Sequence, residues 1–253
     1  MPAFNECDSI HRILPLVFAA LPTIPKQLVI VDDWSRDGTR EWLQARFSET
    51  PRALARVELD ADDGLRLIDA ENADSAPLSI ELVLHDVNQG KGAALRSGFS
   101  RVRGDVVVVQ DADLEYDPDD WAAIWNLIVE RRIADVVYGS RFFGRPHRSL
   151  LFHHYLGNRV ISTLFDLLYD QLLTDIEVCY KMFTREVLDS LRLTANDFGF
   201  EVQFSAQVAL ARRWRIYELG ISYYGRTFDE GKKINWRDGL KALWYVIKYR
   251  FWP

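Results

Sequence analysis

Cysteine is nearly absent: Cys7 and Cys179 are the only two in 253 residues. They lie too far apart for a disulfide framework or a Cys-x-x-Cys metal site, and are expected to be reduced thiols of a cytoplasmic protein. The five histidines fall into no ligand spacing. No apolar run reaches the length of a membrane-spanning helix and no basic-then-apolar leader is visible, so neither a span nor a secretory signal is expected. Internal repeats are absent, as is any linker rich in Gly, Ser or Pro. Lys and Arg number 31 against 37 Asp and Glu, for a net charge of −6, and the basic residues are dispersed. That excludes nucleic acid as a partner.

What is present fits one globular α/β chain, with 48% hydrophobic and 27% charged residues. Its charge is unevenly spread: residues 1–130 hold 24 acids and 12 bases, and residues 131–253 hold 13 acids and 19 bases. That split suggests an acidic, metal-binding first half and a second half suited to anions, with ordinary surface variation as the alternative.

Strands are expected at Gln27–Val31, Ala55–Leu59, Ile80–His85, Asp105–Gln110, Ala134–Tyr138, Val178–Phe183 and Arg215–Tyr224. Helices are expected at Asp8–Leu21, Thr39–Phe47, Ala93–Arg101, Asp117–Arg131, Ser149–Leu173, Phe200–Arg212 and Trp236–Trp252. The four valines before Gln110 read as a strand buried on both faces. Alternating strands and helices imply a doubly wound, mostly parallel sheet with helices on both faces. The first strand is expected to be truncated, because Met1–Glu6 sits where such a domain has already completed it. Residues 1–235 are expected to form one domain, with a nucleotide-binding half to residue 145 and an acceptor half beyond it. The helix over 236–253 repeats Trp236, Leu240, Leu243, Trp244, Ile247 and Phe251 on one face, with Arg237, Lys241 and Lys248 on the other. That amphipathic pattern suits either a membrane interface or packing on the domain.

Three strand ends carry the chemistry. Asp111-Ala112-Asp113 follows the valines, at the sheet edge where open α/β folds bind ligands, and Glu115 shares the same side of an extended chain. Hard Mg2+ or Mn2+ takes one or two such carboxylates together with diphosphate oxygens. Asp32-Asp33 ends an earlier strand and offers acceptors for a ribose hydroxyl or a base N–H, while Ser35, Asp37 and Thr39 suit a turn and helix cap. Asn88-Gln89-Gly90-Lys91-Gly92 opens a helix, where glycine admits close approach and the helix start and Lys91 favour anions. Singly, each fits an ordinary turn. Together they match the parts of a nucleoside diphosphate-sugar.

In order, Pro2-Ala3-Phe4-Asn5-Glu6, Val31-Asp32-Asp33-x-Ser35-x-Asp37-Gly38-Thr39, Asn88-x-Gly90-Lys91-Gly92 and Asp111-Ala112-Asp113 resemble the family 2 glycosyltransferases of GT-A fold. The second half resembles the polyprenyl-phosphate, or dolichyl-phosphate, sugar transferase branch. That likeness rests on Gly139-Ser140-Arg141-Phe142, Gly157-Asn158-Arg159, Thr174-Asp175, Cys179–Phe183, Gly199-Phe200-Glu201 and Gly225-Arg226 with Gly231-Lys232-Lys233-Ile234. The resemblance implies an inverting transfer from a nucleotide sugar, UDP-sugar before GDP-mannose, to a lipid phosphate. It places Pro2, Phe4, Glu6, Asp32, Asp33, Lys91, Asp111 and Ala112 around the nucleotide, and Asp113 with Glu115 on a Mg2+ or Mn2+ ion. Arg141, Arg226 and Lys232 fall around phosphates. Asp113 and Arg141 are expected to be catalytic, with Asp175 or Glu201 taking a proton if the acceptor is a hydroxyl. A peripheral position on the cytoplasmic face of a membrane follows. The alternatives are a soluble transferase with a hydroxyl acceptor, a sugar nucleotidyltransferase, and a non-catalytic nucleotide-binding module.

Overall fold

The structure is a computed structural model that describes the chain apart from residues 49, 59–64, 73–75, 144–145, 147, 149–151, 227–235 and 253, and only the backbone at 58, 154, 236 and 237. Two compact units emerge. The first holds Met1–Gly104 and Gln110–Leu114, the second Asp105–Val109 and Glu115–Pro253.

In the first unit, β1 (Pro2–Ala3) leads into α1 (Cys7–Ala19), then β2 (Lys26–Asp32), α2 (Thr39–Phe47), β3 (Arg52–Glu58), β4 (Arg66–Asp69), β5 (Leu78–Leu84) and α3 (Lys91–Phe99). The sheet order is β1-β2-β5-β3-β4. β1 and β5 flank β2 in parallel, with Pro2 opposite Val31 and Asp32 opposite Leu84. Leu28 through Asp32 are all buried, as expected for a central parallel strand enclosed on both faces. The first strand is thus short but paired: the Val31 amide donates to Met1 O and the Asp33 amide to Ala3 O. Val29, Val31 and Ala94 form a core cluster that seats α3 on β2.

The second unit contains β6 (Val106–Val108), α4 (Trp121–Trp125), β7 (Val136–Ser140), α5 (Phe152–Tyr169), β8 (Lys181–Thr184), α6 (Arg185–Ser190), α7 (Gly199–Ala211), β9 (Ile216–Gly220) and α8 (Trp236–Phe251). Its sheet runs β6-β8-β7-β9, with β7 and β9 parallel. Pro118–Asp120 forms a 3-10 turn before α4, and Asn126–Glu130 continues it with wider bonds, the Arg131 amide reaching Asn126 O at 2.8 Å. α7 is buried on nearly all sides, the mark of a core helix. Gly199 is required there, since a Cβ would lie 2.4 Å from the Tyr245 ring.

The α/β architecture with parallel-rich sheets and a C-terminal helix is as the sequence implies. Three details differ. β3 pairs antiparallel with both β4 and β5, and β8 antiparallel with β6 and β7. β4 and α6 were not expected, being four and six residues long. The valines of β6 alternate between buried and half-buried positions, so that strand is not enclosed on both faces.

Candidate functional site

Asp32 ends β2 and Asp33 follows it, both buried, at 0% and 3% exposure, and they differ in what they hold. Asp33 organises the loop after β5. Its Oδ1 accepts from His85 Nδ1 at 2.7 Å and the Gln89 amide at 2.9 Å, its Oδ2 from the Gly90 amide at 2.7 Å, and its carbonyl from Asn88 Nδ2 at 3.2 Å. A carboxylate only accepts, so His85 Nδ1 carries a proton, and His85 Nε2 meets Ser97 Oγ of α3 at 2.9 Å. Asp32 is engaged on one side, where Oδ2 accepts from the Ser35 amide at 3.3 Å and faces Arg40 at 3.6 Å. Its Oδ1 is buried without a partner. A buried acceptor left unmet costs stability, so this oxygen is one that calls for an explanation.

Ser35, Asp37 and Thr39 tie the turn to the start of α1. Ser35 Oγ accepts from the Asn5 amide, Thr39 Oγ1 from the Glu6 amide and Asp37 Oδ2 from the Cys7 amide, at 2.9, 2.9 and 3.0 Å. Burial pushes the Asp37 carboxyl up, but the Thr39 hydroxyl and the Cys7 and Thr39 amides outweigh it and hold its pKa below the ordinary value. Pro2 lies in β1 and Phe4 is half-buried. Glu6 Oε2 accepts from Ser9 Oγ at 2.7 Å, and Ser9 Oγ also reaches Ala112 O at 3.0 Å.

β6 ends at Val108, and Gln110–Leu114 belongs to the first unit. Lys91, at the start of α3, sets its Nζ 2.9 Å from the Asp111 carboxylate. Gly90 precedes it with φ of 93°, a conformation glycine permits. Asp33, Gly90, Lys91, Asp111, Ala112 and Glu6 are therefore joined by one chain of contacts. Asp113 is buried at 8% exposure.

In the second unit, Glu115 Oε1 accepts from the Arg226 amide and Nε at 3.1 and 3.2 Å, and its Oε2 accepts from Tyr223 OH at 3.0 Å. Arg141 forks onto Asp175 with Nε–Oδ2 at 2.6 Å and Nη2–Oδ1 at 2.7 Å. Burial opposes the Arg141 charge, yet Asp175 holds its pKa well above the ordinary value. Lys181 pairs with Glu201 and also donates to Val178 O, with Cys179 Sγ 3.5 Å from Glu201 Oε1. Asp175 and Glu201 are thus buried and committed to cations, a geometry for holding Arg141 and Lys181 rather than for taking an acceptor's proton. Lys232 lies outside the described residues.

Glu177 is the residue that the sequence did not single out. Burial pushes its pKa up to about 7; Arg141 pulls against this, and Asp175 and Glu201 add to it. Its one signal was its place two residues beyond Asp175. Glu218 was missed as well: its Oε1 accepts from the Thr174 and Asp175 amides at 2.8 and 3.1 Å, and burial raises its pKa against those bonds.

Among the described residues no group of three or more His, Cys, Asp or Glu is gathered for a metal. One or two carboxylates, such as that of Asp113, would suffice for a hard divalent ion whose remaining ligands are diphosphate oxygens. Glu115 is engaged by Arg226 and Tyr223.

Residues 60–192 match the profile of the family described as glycosyl transferase family 2, more than half of the chain. The chain belongs to that family. This glycosyltransferase is 26% identical over 271 residues to the undecaprenyl-phosphate mannosyltransferase of Micrococcus luteus, covering 99% of this chain and 96% of the relative. It is 23% identical over 236 residues to the undecaprenyl-phosphate 4-deoxy-4-formamido-L-arabinose transferase of Klebsiella pneumoniae, covering 92% of this chain and 61% of that protein. Among solved structures it resembles glucosyl-3-phosphoglycerate synthase from Mycobacterium tuberculosis in complex with Mn2+, uridine diphosphate and phosphoglyceric acid. There the TM-score is 0.66 at 17% identity, over 100% of this chain and 77% of that one. That likeness shows a shared GT-A fold.

Proposed function

We propose that this glycosyltransferase moves a sugar from a nucleoside-diphosphate sugar, with a UDP-sugar as the favoured donor, to a polyprenyl phosphate, with inversion at the anomeric carbon. The observation that carries the donor reading is the buried, partnerless Oδ1 of Asp32 in the same unit as the Lys91–Asp111 pair. Asp32 Oδ1 takes a base or ribose donor, and the glycine-bounded start of α3 with Lys91 faces the diphosphate. Asp113 would hold a Mg2+ or Mn2+ ion, which supplies charge stabilisation for the departing diphosphate.

The acceptor reading rests on Arg141 and Arg226, both part-exposed and both held by carboxylates, and on the two undecaprenyl-phosphate relatives. A lipid phosphate is already an anionic nucleophile and needs no general base. Membrane contact is proposed through α8. It packs by Ala242, Val246 and Tyr249 while Leu240, Trp244, Ile247 and Phe251 stay exposed. No helix of the described residues is long and apolar enough to cross a membrane. An apolar exposed stripe with lysines beside it suits attachment to the cytoplasmic face of a bilayer.

A hydroxyl acceptor is the second reading, favoured by Glu177, whose pKa of about 7 suits a general base. Assaying transfer from a panel of nucleotide sugars to geranyl phosphate and, separately, to phosphoglycerate tests both. Transfer to geranyl phosphate with release of nucleoside diphosphate supports the first reading; transfer to phosphoglycerate alone overturns it.

A further inference from the structure

Tyr223 lies in the stretch after β9, where it forms an isolated antiparallel bridge with Tyr116 and is 8% exposed. The Tyr224 amide donates to Glu115 O at 2.9 Å, strapping the two stretches together. The Tyr223 side chain works through both its hydroxyl and its ring, and the hydroxyl bonds Arg141 as well as Glu115. Its hydroxyl donates to Glu115 Oε2 at 3.0 Å, on the carboxylate whose other oxygen takes Arg226 Nε. Its ring lies 5.4 Å from the Arg141 guanidinium, within the range of a cation–π contact. Tyr116 braces the ring from the side, with centroids 5.5 Å apart, and is itself stacked on Tyr180 at 4.8 Å.

Arg141 and Arg226 belong to separate stretches of chain, and each is turned by its own carboxylate, Asp175 or Glu115. One aromatic residue meets the first guanidinium with its ring and its hydroxyl, and the holder of the second with that same hydroxyl. We infer that Tyr223 is a positioning residue that fixes Arg141 and Arg226 relative to one another as a two-pronged site for a phosphate monoester, the acceptor's headgroup. The inference rests on the acceptor reading above and assigns its geometry to Tyr223. Arginine suits the task because its planar fork meets phosphate oxygens in pairs, so a small rotation of either fork loses bonds.

Ring and hydroxyl separate by mutation. Tyr223→Phe keeps the ring near Arg141 and loses the hydroxyl's bonds to Glu115 and Arg141, while Tyr223→Leu loses the ring contact as well. Calorimetric titration with geranyl phosphate, inorganic phosphate and UDP reads the effect, and geraniol serves as the uncharged control. Tyr223→Phe is expected to weaken geranyl phosphate about five- to ten-fold, the scale of one misplaced charge-assisted bond. Tyr223→Leu weakens it further, and UDP affinity is unchanged in both. In transfer assays the acceptor KM rises while the donor KM stays put. Wild-type affinity for geranyl phosphate in Tyr223→Phe overturns the inference, as does equal weakening of UDP, which marks a general structural role. Wild-type protein that binds inorganic phosphate but not geranyl phosphate overturns the polyprenyl acceptor and leaves the arginine pair standing. Binding of neither overturns both.

Discussion

Lys91 Nζ stands 2.9 Å from the Asp111 carboxylate, so the first residue of α3 neutralises the first acid of the Asp111-Ala112-Asp113 run. An arriving diphosphate would meet a lysine already fixed in place. Replacing Lys91 by Met leaves Asp111 without that cation and adds repulsion toward phosphate. If Lys91 meets only the phosphates, UDP affinity should fall at least about ten-fold while uridine affinity holds. Equal losses for the two ligands, by calorimetry, would place Lys91 elsewhere in recognition.

Asp32→Asn separates the role of the last carboxylate of β2 from that of Asp33 just after it. Its oxygen would keep the Ser35 amide, and its NH2 would replace the partnerless acceptor with a donor. Folding stability should change little, while uridine and UDP both weaken by roughly ten-fold. Asp33→Asn should instead loosen the Gln89–Gly90 loop and lower thermal stability, because both of its carboxylate oxygens accept backbone amides.

Arg141→Met leaves Asp175, at 0% exposure, without its forked partner. Breaking one side of a buried pair costs on the order of 3–5 kcal/mol. Urea unfolding should show that loss, and Asp175→Asn in the same chain should recover part of it.

Glu177 makes stability depend on pH. Its folded pKa of about 7 stands above the ordinary 4.5. Its contribution is therefore fully present below pH 4.5 and is lost as pH rises through 7, with an upper scale on the order of 3 kcal/mol. Glu177→Gln should equal wild type near pH 4.5 and be more stable at pH 8, read as the difference between urea midpoints at the two pH values. A constant difference across that window would remove the account of Glu177.

Much of this was legible in the sequence, for a local reason. β2, α2 and α8 announce themselves by continuous apolar runs or helical spacing, and α2 begins and ends where Thr39–Phe47 is expected. Antiparallel β3 and β8 were not legible, since pairing direction depends on partners distant in sequence. At the site, strand-end acids and the Gly90-Lys91 turn stood out by position. The division of labour between Asp32 and Asp33 did not, because it depends on His85, Gln89 and Gly90, more than 50 residues away. Glu177 and Tyr223 were invisible for the same reason: burial and the nearness of the Arg141 charge distinguish them, and neither has a one-dimensional signature.

The most direct measurement is calorimetric titration of UDP, with and without Mn2+, into wild type and Asp113→Ala, beside a transfer assay. Wild-type affinity should rise with Mn2+, and Asp113→Ala should lose that rise and all transfer while melting like wild type. An Asp113→Ala protein that keeps both the Mn2+ response and full transfer would contradict the account.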